Sequence, residues 1–502
     1  MEADYDIGEC CSVESGSRMT YKYKTKPYDH QHEEFTRHGA DPVRGEFWEQ
    51  GTGKTKPIID SVAYLYENKE IDGLVVVAPN GVHRNWVSDE MVAHMPDRVM
   101  ERVKSHVWYS TDAKYHKQAF EETLKHDGLA VLVMSYNAIW TNRGRDAWKA
   151  FLKRRRCLYV LDESHRIGEP DGKWTKRIMG SKVAAPYKRV LTGTPTAGKP
   201  FKLYTQLKFL DPGVWIKYGI SDYTIFKTYF GIWETVYHGK DKEKSFPNCV
   251  AYKNLNILNH ELLRLGSRLL KADVLDLPPK VYSKRYFMPT PKQKTLYNQL
   301  KEEYEVEAAM GTLTAELAIV RLLRLQQIVC GYLPGSDDNT ELVAIPGGNP
   351  RLDLLKEICE DISHQVIIWA RFQEDHRLIK EHKLFRNNSM MVNGTVTGRP
   401  RDAALDLFKR GDVQFLIASP AAIGMGHTLN MAKTCIYYSN SFNLTDRLQS
   451  EDRPHRIGQD AKVQYIDLCA ETLRVDVRII ETLRKGLHIS EQVQGDAFQE
   501  WI

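Results

Sequence analysis

Cysteine is scarce in this sequence: eight residues in 502, scattered except for the adjacent Cys10 and Cys11, with no CxxC pair. That argues against a zinc ribbon and against a disulfide framework, and for a reducing compartment, cytoplasmic or nuclear rather than secreted. No stretch approaches the roughly 18–20 consecutive apolar residues of a membrane span. The opening MEADYDIGECCSVESGS is acidic and polar, so it is neither a secretory signal nor a basic transit peptide. It reads as a flexible tail over residues 1–20. A large charge excess is missing too: 70 Lys and Arg against 65 Asp and Glu leave +5, which is compatible with a nucleic-acid partner without requiring one. His30, His32 and His38 cluster, but no cysteine or carboxylate set completes them, which favours a solvated or nucleotide-adjacent loop over a metal site.

What is present is an ordinary globular composition, 42% hydrophobic and 27% charged. The length exceeds one hydrophobic core and predicts roughly two to four domains. GLVVVAPN, LAVLVMSYN, CLYVLDESH and KRVLTGTP are short apolar runs closed by turn residues, the pattern of buried parallel strands. Helical stretches such as PIIDSVAYLYENK separate them. A second series, QVIIWARF, SMMVNG, VQFLIASP, KTCIYYSN and KVQYIDLC, follows Pro278-Pro279-Lys280. The fold class is therefore α/β, with two parallel sheets flanked by helices. The expected organisation is a first lobe over 21–280, a second over 281–490 and a tail over 491–502. Residues 213–277 fit neither series and read as a helical insertion, and 331–349 as an exposed loop. The basic run Lys153-Arg154-Arg155-Arg156 is either a solvated face or a phosphate contact.

FWEQGTGKTKPIID carries the first chemistry. Gly51 and Gly53 let the backbone approach an anion at the start of an amphipathic helix. Thr52 lies between them, Lys54 can reach the β- and γ-phosphates, and Thr55 can ligate Mg²⁺. The phosphate-loop pattern asks for glycine where this chain has Trp48. The acidic partner comes from CLYVLDESH, where Asp162 would hold Mg²⁺ and Glu163 would orient and deprotonate the attacking water. The cofactors expected are ATP and Mg²⁺.

DESH followed by LTGTP resembles the superfamily 2 helicases and translocases, and more closely their Swi/Snf-type DNA-dependent ATPases. KPYDHQHEEF resembles the segment with the adenine-reading glutamine, here Gln31. APNGVHRNWVSDE resembles motif Ia with its tryptophan, Trp86, and VMSYNAI resembles motif Ib. LKFLDPGVW and RLLKADVLDLPPK resemble signatures at the end of the first lobe. In the second lobe QVIIWARFQ resembles motif IV, SPAAIGMGHTLNMA motif V, and RLQSEDRPHRIGQ motif VI. Two departures stand out: Trp48, and GMGHTLN in place of the usual glycine-glycine-leucine-asparagine.

The resemblance implies two RecA-like lobes. It adds Gly424 to the nucleotide site, and supplies Arg453 and Arg456 from the second lobe. These are spaced i, i+3 and would share a face if that segment is helical. An arginine of this kind is typically worth ~10³–10⁵ in rate. Asn80, Ser135, Tyr136, Arg371 and Thr428 are candidate contacts to the DNA backbone, which would make binding salt-dependent with little sequence preference. Thr192, Thr194 and Gln449 are candidate coupling residues, although LTGTP also reads as a plain strand-end turn. The aromatic residues Trp215, Tyr223, Phe226, Tyr229, Phe230 and Trp233 either stack on bases or, as favoured, form the core of the insertion.

The expected function is an ATP-dependent DNA translocase acting on duplex, forked or branched DNA in replication, recombination or repair, including branch migration. A strand-separating DNA helicase is the alternative, and an RNA-dependent ATPase a more distant one. A motor this compact suits a virus or a bacterium, and a histone substrate is not expected.

Overall fold

The computed structural model describes residues 21–80, 82–109, 113–181, 185–238, 244–309, 315–334, 342–396, 398–423 and 427–494. Seventeen strands occur among them. In chain order they are β1 (Val43–Trp48), β2 (Gly73–Ala78), β3 (Val103–Val107), β4 (Leu129–Ser135), β5 (Cys157–Asp162), β6 (Tyr187–Leu191), β7 (Gly231–His238), β8 (Lys244–Tyr252) and β9 (Gly266–Leu269). After these come β10 (Lys280–Phe287), β11 (Tyr332–Pro334), β12 (Leu342–Ala344), β13 (Val366–Trp369), β14 (Ser389–Val392), β15 (Phe415–Ala418), β16 (Thr434–Tyr437) and β17 (Val463–Ala470).

A seven-stranded sheet has the order β3-β4-β2-β5-β6-β1-β9, and a six-stranded sheet the order β10-β17-β16-β13-β15-β14. The two α/β sheets follow from the sequence pattern. All six residues of β2 are buried, as a β-branched run covered by helices on both faces must be. Strand alternation then separates two cores in the second sheet. Ile367, Trp369, Leu416 and Ala418 pack in one core, while Val366, Ile368, Phe415 and Ile417 pack in the other. In the first sheet Leu74, Val76, Val131 and Val133 pack with Ile58, Ile59 and Val62 of the helix Thr55–Glu67. That packing seats the helix whose first turn follows the glycine loop.

By contact density the chain forms two compact units. One comprises residues 1–44, 53–163 and 180–191, the other 45–52, 164–179 and 192–502. The tail expected over 1–20 lies outside the described residues. Of the tail expected over 491–502, residues 491–494 instead complete the helix Val475–Gln494, and the rest lies outside the described residues.

The insertion over 213–277 contains the helices Tyr223–Phe230 and Leu255–Leu265, and more than helices. Between these two lies the antiparallel hairpin β7–β8, and β9 joins the first sheet beside β1. The segment 331–349, expected as a loop, pairs β11 with β12. Trp215, Phe226 and Phe230 are buried, and the Trp215 indole donates to Tyr204 O at 3.0 Å. These aromatic rings are core.

A buried ionic cluster closes the second fold. Arg447 donates to Glu451 at 2.7 Å and to Asp467 at 2.6 Å, with its guanidinium 3.5 Å from the Tyr437 ring centroid. Removing one member of such a cluster strands the others in a dry interior. Arg447→Met is therefore expected to lower folding stability by about 3–5 kcal/mol. Urea unfolding would check this, and a change under about 1 kcal/mol would contradict it.

Candidate nucleotide site

Gly51 and Gly53 both adopt left-handed backbone conformations, at φ +84° and +77°, where a side chain is strained. Both are also hemmed in. A Cβ on Gly53 would collide with the Gln31 amide, and one on Gly51 would lie 3.3 Å from Lys271 Cε and 3.6 Å from Arg456 Cγ. Gln31 accepts from Tyr28 N at 2.9 Å and donates to Gly53 O at 3.0 Å. The predicted adenine reader is thus pinned to the loop. The Thr52 hydroxyl donates to Glu49 O at 2.8 Å, closing the loop's first turn. Lys54 caps the helix that Thr55 begins, so backbone N–H groups, a lysine and a hydroxyl meet at one helix start.

Trp48, the departure from the glycine pattern, ends β1 and is buried. Its indole donates to Ser267 Oγ at 2.8 Å. The chain is still in its sheet there, so no glycine turn is required.

Asp162 ends β5, and Glu163 after it holds φ +52°, uncommon for a non-glycine residue and a form of local strain found at functional sites. Burial first, and then the neighbouring Glu163 charge, push the Asp162 carboxyl up to about 6, against the opposing pull of Trp86 and Lys54. The Trp86 indole N–H donates to Asp162 Oδ2 at 3.1 Å. A carboxyl held up by burial and by a neighbouring like charge is a fitting seat for a divalent cation, which would relieve that penalty. The residues present fit Mg²⁺ with a triphosphate: Thr55 and Asp162 would be the ligands, and Lys54 and the loop amides would meet the phosphates.

Arg453 and Arg456 do not share a helical face. The helix Leu444–Glu451 ends before them, as Pro454 requires, and they lie in the turns that follow. Arg456 nevertheless reaches Gly51, and its guanidinium donates to Thr428 Oγ1 at 3.2 Å. Arg453 is buried, and its carbonyl accepts from Leu429 N at 2.9 Å. Gly424 lies outside the described residues.

Residues 47–331 match the SNF2-related domain, and residues 350–458 the helicase conserved C-terminal domain. The chain belongs to the Swi/Snf-type ATPases of superfamily 2. The ISWI chromatin-remodeling complex ATPase CHR17 of Arabidopsis thaliana is 28% identical over 89% of this chain and 40% of its own length. The ATP-dependent helicase brm of Drosophila melanogaster is 24% identical over 89% of this chain and 27% of its own. This Swi/Snf-type chain thus spans well under half the length of these relatives. The Sulfolobus solfataricus SWI2/SNF2 ATPase core in complex with dsDNA aligns over 96% of both chains at 20% identity and a TM-score of 0.41.

The residues expected to touch DNA in this Swi/Snf-type chain are placed unevenly. Asn80 is exposed. Arg371 lines a cavity of about 740 Å³ together with Lys199 and Lys202, and donates to Gln326 Oε1 at 3.1 Å. Ser135 and Tyr136 point inward instead. The Ser135 hydroxyl accepts from Ala138 N as a helix cap, and the buried Tyr136 hydroxyl donates to Asp162 O at 2.9 Å. Tyr136 thus props the acidic strand end rather than presenting its hydroxyl to a ligand. In the basic run, the Arg155 side chain, only 9% exposed, donates to Leu124 O at 2.9 Å and braces the fold, whereas Arg156 makes an exposed pair with Glu70 at 3.3 Å.

Of the coupling candidates, Thr192 shares a hydrogen bond with His165 Nδ1 at 3.0 Å and accepts from Thr194 N at 3.1 Å. That joins DESH to LTGTP. Gln449 lies half-buried on the helix Leu444–Glu451. Sequence reading named Trp86 only through the family resemblance. No spacing rule reveals that its indole meets Asp162.

Metal binding needs the ionised Asp162 carboxylate. The Mg²⁺-dependent part of nucleotide affinity is therefore expected to weaken as pH falls through about 6. The indole hydrogen bond favours the charged form, so Trp86→Phe should move that inflection upward. Mg²⁺ titrations with a non-hydrolysable fluorescent ATP analogue at a series of pH values would check both. A flat profile would contradict the assignment.

Proposed function

We propose that the protein is an ATP-dependent DNA translocase that couples hydrolysis to movement along duplex DNA, with forked or branched duplexes as its working substrate in replication, recombination or repair. The observation carrying this reading is that Arg456, from the last family segment, packs against Gly51 at the start of the phosphate loop. The acidic pair Asp162–Glu163 stands in the same unit as Lys54 and Thr55.

Bound ATP with Mg²⁺ supplies the phosphoanhydride bond whose cleavage drives the motor. Lys54 and the loop amides would neutralise the β- and γ-phosphates, and Thr55 and Asp162 would hold the metal. Glu163 takes the proton of the attacking water. Arg453 and Arg456 take up charge on the transferred phosphoryl, so turnover depends on the second family domain being in place. Thr192 and Thr194, linked to His165, are the relay from this centre toward the DNA-binding surface. Asn80, Arg371 and Thr428 contribute backbone contacts, which gives little sequence preference and strong salt dependence.

The relatives named above are a chromatin-remodeling complex ATPase and an ATP-dependent helicase, and the portion shared with them is the motor. The insertion also carries the antiparallel hairpin β7–β8, whose Trp233 ring stacks on Phe201 at 5.9 Å.

ATP turnover measured with single-stranded, duplex, forked and four-way-junction DNA tests the reading, and the forked and junction forms should stimulate most. Stimulation by RNA instead would overturn it, and strand release from a simple tailed duplex would favour a strand-separating helicase. Lys54→Ala and Glu163→Gln are each expected to lower DNA-stimulated turnover at least ~10³-fold while sparing DNA binding. Unchanged turnover in either would contradict the site.

A further inference from the structure

Lys271 has no part in the chemistry above, yet its side chain is only 4% exposed. It follows β9 in the segment RLLKADVLDLPPK. β9 runs parallel to β1, with Leu269 opposite Trp48, and the pairing continues past both strand ends. Glu49 N donates to Leu269 O at 2.8 Å, and Lys271 N donates to Glu49 Oε2 at 2.8 Å. Sheet register thus delivers Lys271 to the residues that open the phosphate loop. Its Cε would lie 3.3 Å from a Cβ on Gly51.

The ammonium turns to a different segment. It donates to Asp452 Oδ1 at 2.5 Å and to His455 O at 3.0 Å, and these two residues immediately precede Arg453 and Arg456. Lys280 reinforces the arrangement, 3.6 Å from Asp452 and 3.3 Å from Glu451. Burial alone would raise the Asp452 carboxyl, but Lys271 and Lys280 outweigh it and hold it down at about 2. Burial in turn holds the Lys271 ammonium below the usual lysine range, against the pull of Asp452. All of these residues belong to one compact unit.

A buried ion pair is a poor source of stability, because desolvation offsets the attraction and apolar replacements often serve as well. What it does supply is direction, since an ammonium held by a carboxylate and a carbonyl fixes where both must sit. We propose that Lys271 is a positioning residue for ATP turnover, its stem packed on the phosphate loop at Gly51 and its ammonium holding Asp452 and the His455 carbonyl so that Arg453 and Arg456 are set toward the loop. The proposal rests on the reading of the nucleotide site given above.

Lys271→Met keeps the stem and removes the charge. With saturating duplex DNA, kcat is expected to fall at least ~10-fold. KM for ATP, affinity for a fluorescent ATP analogue and DNA affinity should stay within about twofold. Asp452→Asn should give the same split, and the double variant should be no worse than either single one, as members of one linkage behave. Turnover within about twofold of wild type in either folded variant would overturn the proposal. So would parallel losses of turnover, nucleotide binding, DNA binding and melting temperature, which denote a structural role only. If Lys271→Met fails to fold by circular dichroism, Asp452→Asn decides by the same criteria; if neither folds, the pair is structural and the proposal falls. Lys54→Ala, run alongside, separates the two readings: wild-type turnover there removes the nucleotide site itself, whatever Lys271 does.

Discussion

Left-handed backbone at Gly51 and Gly53 is the constraint from which the rest of the site follows. Only glycine takes this conformation at low cost, and each of the two is closed in by a different neighbour. Gln31 covers Gly53, while Lys271 and Arg456 cover Gly51. A loop clasped in this way holds its N–H groups at the start of the helix Thr55–Glu67, where an anion is favoured by both hydrogen bonding and the helix dipole. The apolar face of that helix is locked against β2 and β4 through Ile58, Ile59 and Val62. The position of the cradle is therefore set by the core of the sheet.

Two groups of charges in this protein stand in opposite electrostatic states. Asp162 beside Glu163 is pushed up by burial and a like charge, so its ionised form awaits a cation. Asp452 is held down, because two lysines outweigh its burial. The first arrangement is poised for a ligand, and the second is already satisfied from within the chain. Functional sites retain the former kind because binding then relieves a standing penalty. The latter fixes geometry among segments far apart in sequence, here 181 positions between Lys271 and Asp452.

Nine strands were legible as apolar runs ended by turn residues, β2, β4, β5 and β6 in the first sheet and β13 to β17 in the second. Others were hidden for identifiable reasons. β1 carries Arg44 and Glu46, and β10 reads KVYSKRYF; neither shows the continuous apolar run of a central strand. β7 and β8 were masked by aromatic residues that fit a helix as readily as a hairpin. A shared face for Arg453 and Arg456 was conditional on a helical segment, and Pro454 rules that condition out because the residue before it is disfavoured in helical form. Ser135 and Tyr136 were matched to DNA contacts by motif, but their hydroxyls serve a helix cap and Asp162.

By itself the sequence determined the glycine loop and the helix start that follows it, because Gly51, Gly53, Lys54 and Thr55 are contiguous in the chain. It also determined the order of the family's segments and the α/β class, since both are written in local runs. Tertiary structure alone decided that Trp86 donates to Asp162, that Arg155 braces the fold, and that Lys271 stands between Gly51 and Asp452. Those roles depend on partners brought together by sheet register and long-range packing, and no local spacing encodes them.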